Sequence, residues 1–180
     1  MKWLKGALTG VILAAAAIAV RYVSYRPLRC NDVAMLVTGN MQNIYQIADQ
    51  SLLTILTREN LEKLEPCRRE VPWNVNLHML AGANYAIREQ HEDAVRMYEE
   101  ALRYDHRPEI YFNLGVELLK LGRTEESIEP LTIACGVKSS MVNEIPDPIR
   151  SQIIARVADH ANGGPLPLSP ATRYSAAPPP

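Results

Sequence analysis

The chain has 180 residues, of which 47% are apolar and 22% are charged, and its formal net charge is −1. This length can bury a core of its own, and the composition excludes a collagen, a disulfide-stapled miniprotein and a wholly disordered chain. Residues 1–30 hold five basic residues and no acidic one, which leaves 14 basic and 20 acidic residues, a net charge of −6, for the rest. An acidic body disfavours nucleic-acid partners, because phosphate contacts need a basic face.

The N-terminal segment, residues 1–25, contains an uncharged stretch at residues 6–20. As a helix, this stretch alone would span about 22 Å, which is short of a hydrocarbon core of about 30 Å. Trp3 and Tyr22 extend the candidate span, because a helix would place them about 28 Å apart, near the two membrane interfaces. We therefore predict a single membrane-spanning helix over residues 3–23.

A cleaved secretory signal is the alternative interpretation of the same segment. Lys2 and Lys5 form a basic n-region, and Ala17-Ile18-Ala19 fits a small-x-small cleavage site, so that cleavage after Ala19 would release a periplasmic binding protein. Basic residues on both flanks of the span nearly cancel the charge bias that orients a membrane helix. Because a short tail with two lysines usually stays inside, we expect a single-pass membrane protein whose body lies on the extracytoplasmic, periplasmic side.

A helical hairpin is predicted for residues 31–66. Apolar residues recur there at helical spacing in two stretches, and Pro66 is expected to end the second helix. Cys30 and Cys67 lie on either side of the hairpin, 37 residues apart. In an oxidising compartment a disulfide between them would close the segment as a loop, while two free thiols are the alternative. The apolar residues are Val33, Leu36, Val37, Ile44 and Ile47, then Leu52, Leu53, Leu56, Leu61 and Leu64.

Residues 75–141 contain two copies of a helix–turn–helix pattern at an offset of 33 residues. Small residues recur where two antiparallel helices would approach each other closely, and large residues recur where side chains would fill the space between them. One hairpin cannot bury both of its faces, so such units stack on each other. The small residues are Gly82, Ala94, Ala101, Gly115, Ser127 and Ala134, and the large ones are Leu80, Tyr85, Tyr98, Leu114, Leu118 and Leu131.

Two sequence motifs run through these copies. One is Gly82-x-x-Tyr85 with Ala94-x-x-x-Tyr98-x-x-Ala101, and the other is Tyr111-x-x-Leu114-Gly115 with Ser127-x-x-x-Leu131-x-x-Ala134. The pattern resembles the tetratricopeptide repeat family. It departs from the family at His78, where a large aromatic residue is usual, and at Pro130 inside the last helix. The resemblance implies an all-α fold, a short α-solenoid of helical hairpins that binds other proteins.

Two segments follow the repeats. The run Pro146-Asp147-Pro148 predicts a helix over residues 146–162, with Asp147 as its N-cap and Pro148 at its first helical position. Residues 165–180 hold six of the 13 prolines and are expected to be extended. This tail either lies across a neighbouring subunit or has no role. The helix would cap the solenoid through Ile149, Ile153, Ile154 and Val157, and the tail's anchors would be Leu166, Leu168 and Tyr174.

The sequence contains no Gly-rich phosphate loop, no GxSxG elbow, no HExxH and no CxxCH, so we predict no catalytic residue, cofactor or metal. The resemblance implies a concave face, lined by the first helix of each repeat, as the partner-binding surface. We therefore expect a non-catalytic adaptor, an accessory subunit or assembly factor of a membrane protein complex, with other protein subunits as partners, integral membrane proteins foremost. The predicted face consists of Asn76, Met79, Ala83, Ala86, Ile87, Glu109, Phe112, Val116, Leu119 and Lys120.

Overall fold

A computed structural model of the chain describes residue 11, residues 13–44 and residues 46–161, with residues 22–24 described by their backbone alone. Within these ranges the regular structure is helical and no strand is present. The prediction of an all-α fold is confirmed for this part of the chain.

The predicted membrane span, residues 3–23, lies partly outside the described residues, and the C-terminal segment 165–180 lies wholly outside them. Within the described ranges, no helix has both the length and the apolar character that crossing a bilayer requires.

Seven α-helices with their connections account for the described residues 26–44 and 46–161. The first continues a helical backbone that is described from residue 13 onward and is π-helical over Val20–Tyr25. The flanking Ala19 and Arg26 have α-helical dihedral angles, so this backbone is not broken. The helices are α1 (Arg26–Ile44), α2 (Gln50–Glu70), α3 (Val75–Ile87), α4 (His91–Leu102), α5 (Pro108–Lys120), α6 (Thr124–Val137) and α7 (Ile149–Ala161), with a 3₁₀-helix (Ser139–Glu144) before α7.

Each of these helices packs against the next one along the chain, and α1 also contacts α3. The buried side chains form two clusters. The N-terminal cluster is centred on Val37, Leu64 and Leu77 of α1, α2 and α3. The C-terminal cluster joins α4 to α7 and includes Leu114 and Leu131. The N-terminal hairpin thus has a core that it shares with α3.

The close approach of paired helices repeats at the offset seen in the sequence. A Cβ atom built at Gly82 would lie 2.6 Å from Cε1 of Tyr98, and one built at Gly115 would lie 2.5 Å from Cγ of Leu131. Both separations are shorter than real side chains tolerate, so each glycine lets a large side chain of the following helix lie against its backbone. The two hairpins therefore use the same device 33 residues apart.

Gly115→Ala is expected to destabilise the chain by about 1–2 kcal/mol, because overpacking outweighs the gain in helix propensity. Gly39→Ala on α1 is the matched control, since a Cβ atom there meets nothing within 4 Å, and it should stabilise the chain by up to about 1 kcal/mol. Urea unfolding of both variants measures the difference. Equal stabilities for the two would contradict the close packing of α5 on α6.

Helix α2 does not end at Pro66 as the sequence suggested, but continues to Glu70. A proline removes one helical hydrogen bond, and here the last turn has other attachments. Cys67 in that turn is bonded to Cys30 of α1, and Glu70 accepts a 2.7 Å hydrogen bond from Arg29. These links to α1 hold the turn that follows the proline.

The start of α7 also differs from the sequence prediction. The helix begins at Ile149, so Pro148 precedes it. The carboxylate of Asp147 accepts a 3.4 Å hydrogen bond from the Ser151 hydroxyl and lies 3.5 Å from the Arg150 guanidinium. Ile153 is the fully buried residue of α7, whereas Ile154, which was predicted to face the core, is 50% exposed. The helix therefore packs on α6 through a narrower face than its sequence suggested.

Candidate partner-binding groove

A groove lies between α1 and α3, and its cavity measures about 430 Å³. Helix α1 forms one wall and the first half of α3 forms the other. Arg107, which immediately precedes α5, closes one side. The lining residues are Asn31, Ala34, Met35, Thr38, Gly39 and Gln42 of α1, Asn76, Met79 and Leu80 of α3, and Arg107.

The lining combines apolar side chains with amide and hydroxyl groups, and Arg107 contributes its one charge. The Arg107 guanidinium lies 2.6 Å from a carboxylate oxygen of Asp105 and donates a 3.1 Å hydrogen bond to Oδ1 of Asn76. Its charge is therefore already compensated. A groove of this chemistry suits a partner segment that is largely uncharged and offers both apolar side chains and hydrogen-bonding groups.

Helix α1 is attached covalently to the rest of the stack. A disulfide joins Cys30 of α1 to Cys67 of α2, with the two Cα atoms 5.3 Å apart, and both residues are buried in the N-terminal cluster. The ion pair of Arg29 with Glu70 lies beside it. The third cysteine, Cys135, is a buried free thiol, and burial raises its pKa.

Replacing both Cys30 and Cys67 by serine should cost roughly 3–4 kcal/mol, because the unfolded chain then loses the constraint of a loop closed over 37 residues. The measurement is urea unfolding of the oxidised chain, the reduced chain and the double variant. Reduced wild type and the variant should unfold at lower urea than the oxidised chain. Three superimposable curves would show that α1 does not depend on this bond.

Three asparagine side chains link the two walls of the groove through α2. Nδ2 of Asn40 on α1 donates to Oδ1 of Asn60 on α2 at 2.8 Å, and Nδ2 of Asn60 donates to Oδ1 of Asn84 on α3 at 3.0 Å. Nδ2 of Asn84 then donates to the carbonyl oxygen of Leu80 at 2.7 Å. Asn60 and Asn84 are fully buried, so each amide depends on its neighbours for hydrogen bonds.

Asn60→Ala should destabilise the chain by about 2–3 kcal/mol, because it leaves the Asn40 donor and the buried Asn84 acceptor without partners. Asn43→Ala is the matched control on α1, since Asn43 is exposed and its amide bonds only weakly to the carbonyl of Gly39 at 3.3 Å. Denaturant midpoints of the two variants measure the contrast. Losses of similar size at both positions would contradict the role of the buried amide chain.

The structure distributes the residues of the predicted concave face over several environments. Asn76 and Met79 line the groove. Phe112 is 8% exposed and packs in the C-terminal cluster. Half-buried residues that pack against one of the two clusters are Ala83, Ala86, Ile87, Val116 and Leu119.

The two charged members of the predicted face have partners of their own. Glu109 lies 3.2 Å from Nζ of Lys138, at the end of α6. Nζ of Lys120 lies 2.8 Å from Glu117, a buried carboxylate that also contacts Nδ1 of His91 at 2.7 Å. These charges therefore belong to ion pairs within α5 and its neighbours, and neither lines the groove at α1.

His78 of α3 is buried against Tyr104, in the chain that follows α4. Its Nε2 lies 2.8 Å from the carbonyl oxygen of Pro72, its ring stacks on Tyr104, and its Nδ1 has no hydrogen-bond partner in the described part of the chain. Burial lowers the pKa of His78, and the nearby positive charges of Arg68 and Arg103 lower it further. The hydrogen bond with Pro72 and the charge of Glu100 raise the pKa, but by less, so the net shift is downward.

Because the pKa of His78 is lower in the folded chain than its ordinary value of about 6.5, the unfolded chain binds more protons below that pH. Stability should therefore decrease as the pH falls below about 6.5. His78→Phe, which keeps a flat ring and cannot titrate, should show a shallower decrease between about pH 7 and pH 5 in thermal unfolding. Parallel pH profiles for the two chains would exclude His78 as a source of the dependence.

The sequence prediction missed the α1 wall of the groove. Asn31, Met35, Thr38 and Gln42 recur at helical spacing beside the buried Ala34 of α1, and all four are exposed. A stripe of uncharged residues on a helix that also has a buried face is the sequence signal that could have indicated this wall. What the sequence did not show is that α1 lies close enough to α3 for the stripe to become a wall.

No group of histidine, cysteine, aspartate or glutamate side chains is arranged to hold a metal ion in the described ranges. Comparison with models of known protein families finds no match for this chain, and comparison with curated proteins finds none either.

Proposed function

We propose that this chain is a membrane-anchored tetratricopeptide-repeat protein that binds other protein subunits without catalysing a reaction. In this proposal it serves as an accessory subunit or assembly factor of a membrane protein complex. The observation that carries the proposal is the groove between α1 and α3, whose single lining charge, Arg107, is paired with Asp105. A disulfide ties the α1 wall to α2, and a chain of amide hydrogen bonds links both walls through α2. Rigid walls favour binding, because little conformational entropy is lost when a partner docks.

The repeated helix pairing supports the family assignment. Gly82 against Tyr98 and Gly115 against Leu131 are equivalent contacts in two consecutive hairpins, as a stacked repeat requires. In such a stack the first helices of successive hairpins line one surface. We take helices α1, α3 and α5 as those first helices, since the groove lies between α1 and α3 and Arg107 immediately precedes α5.

The course of the N-terminal helix supports a position close to a membrane. The helical backbone is continuous from residue 13 into α1, so an anchor at residues 3–23 would be joined to the groove wall without a flexible linker. Asn31 to Gln42 would then lie roughly 15–30 Å from Arg21 along the helix axis. A partner subunit embedded in the same bilayer would meet the groove at that height, and the anchor would raise its effective concentration.

The disulfide supports the extracytoplasmic side, since such bonds persist mainly in oxidising compartments. We also expect the anchor to be retained in the mature chain. Intact-mass measurement of the chain from native membranes should therefore find residue 1 or 2 at its start. A chain that begins near Val20 would favour a released binding protein instead.

The groove is tested by Met35→Glu in the full-length chain, with Leu52→Glu on α2 as matched control. Both side chains are exposed, Met35 by 66% and Leu52 by 43%, and Met35 alone of the two lines the groove, so neither change should unfold the chain. Extraction of native membranes in mild detergent, followed by sizing and mass spectrometry, should show that the Met35 variant loses subunits that the Leu52 variant retains. Identical assemblies from both variants would contradict a partner in this groove.

A further inference from the structure

A second apolar groove lies at the far end of the stack, between α6 and α7. Its cavity measures about 390 Å³ and is lined on one side by Ile133, Gly136 and Val137 and on the other by Val157, His160 and Ala161. Val137 is 71% exposed there. The cavity and that exposure show that the contact of α7 with α6 leaves part of the apolar surface open.

His160 gives this groove an unsatisfied polar atom. Its Nδ1 is buried and has no hydrogen-bond partner among the residues that the structure describes. A buried ring nitrogen without a partner costs free energy, so its position favours an occupant that brings a hydrogen-bonding group as well as apolar side chains.

The chain continues from the edge of this groove. Ala161 lines the cavity and is the last described residue, and residues 162–180 follow it directly. Gly163 and Gly164 come next and allow a reversal of direction at low steric cost. Leu166 is five residues from Ala161, a reach of up to about 17 Å, whereas the α7 wall from Val157 to Ala161 is about 6 Å long.

We propose that residues 165–168, Pro-Leu-Pro-Leu, bind in the groove between α6 and α7 of their own chain. Leu166 and Leu168 supply the apolar side chains, and the main chain between the prolines supplies the group that bonds to Nδ1 of His160. The bound segment seals the C-terminal end of the stack. The surface left open to other proteins is then the groove between α1 and α3.

A neighbouring groove on α7, which shares Val157 and Ala161 with the first, provides a matched control. It measures about 300 Å³ and is lined by Cys135, Val142, Ile154 and Ala161 among others, and Ile154 is 50% exposed. The tail can reach both grooves equally well, because Ala161 lines both. The α6–α7 groove differs by containing His160, so a preference for it would reflect binding and not mere proximity.

The test measures disulfide formation in the full-length chain, with Cys135→Ala in every variant so that the added thiols react alone. One variant pairs Val137→Cys with Leu166→Cys, and its control pairs Ile154→Cys with Leu166→Cys. Both helix positions are exposed, so the fold should be kept. Under mild oxidation the first pair should form an intramolecular disulfide about tenfold faster or more, because binding raises the local concentration of the tail thiol.

Equal rates in the two pairs would overturn the proposal, because they would show a tail without a preferred site. A faster Ile154 pair would place the segment in the other groove and would overturn it as well. Disulfide-linked dimers that form at the expense of the intramolecular bond would show that the tail lies on a second copy of the chain. Leu168→Ser added to the first pair should slow disulfide formation. An unchanged rate would show that the Leu168 side chain does not contribute to binding in the groove.

Discussion

The chain of amide hydrogen bonds from the half-buried Asn40 to the buried Asn60 and Asn84 is the interaction on which the candidate site depends. It crosses three helices, and it ends on the carbonyl oxygen of Leu80, a residue of the groove itself. An apolar core tolerates sliding of one helix against another far better than a set of buried amides does, because a shift leaves donors and acceptors unpaired. The amides therefore fix the position of α1 relative to α3.

The disulfide and the amide chain attach α1 to α2 at two separate places. Cys30 and Cys67 lie near the beginning of α1 and the end of α2, whereas Asn40 and Asn60 pair these helices about two to three turns away. Two attachments that far apart along a helix prevent both separation and rotation. The exposed stripe of α1 consequently faces α3, which is how polar surface residues become one wall of a groove.

The sequence was sufficient for some levels of this structure and not for others. Helical periodicity and the 33-residue offset located the hairpins, and the glycines at 82 and 115 pointed to close helix contacts, because these signals are local. The groove depends on long-range pairing of Asn40, Asn60 and Asn84, which look like ordinary polar helix residues in the sequence. The burial of Phe112 was likewise not evident from the sequence, because it depends on how α5 packs on its neighbours.

Photo-crosslinking in intact cells tests most directly whether the surface between α1 and α3 is where partners bind. A photoreactive residue would be placed in the full-length chain at Asn31, Met35, Gln42 or Met79 in the groove, and at the exposed Leu52 or Tyr104 outside it. We expect one adduct mass that the groove positions share and that is absent from Leu52 and Tyr104. Adducts that form at Leu52 or Tyr104 while the groove positions give none would contradict it.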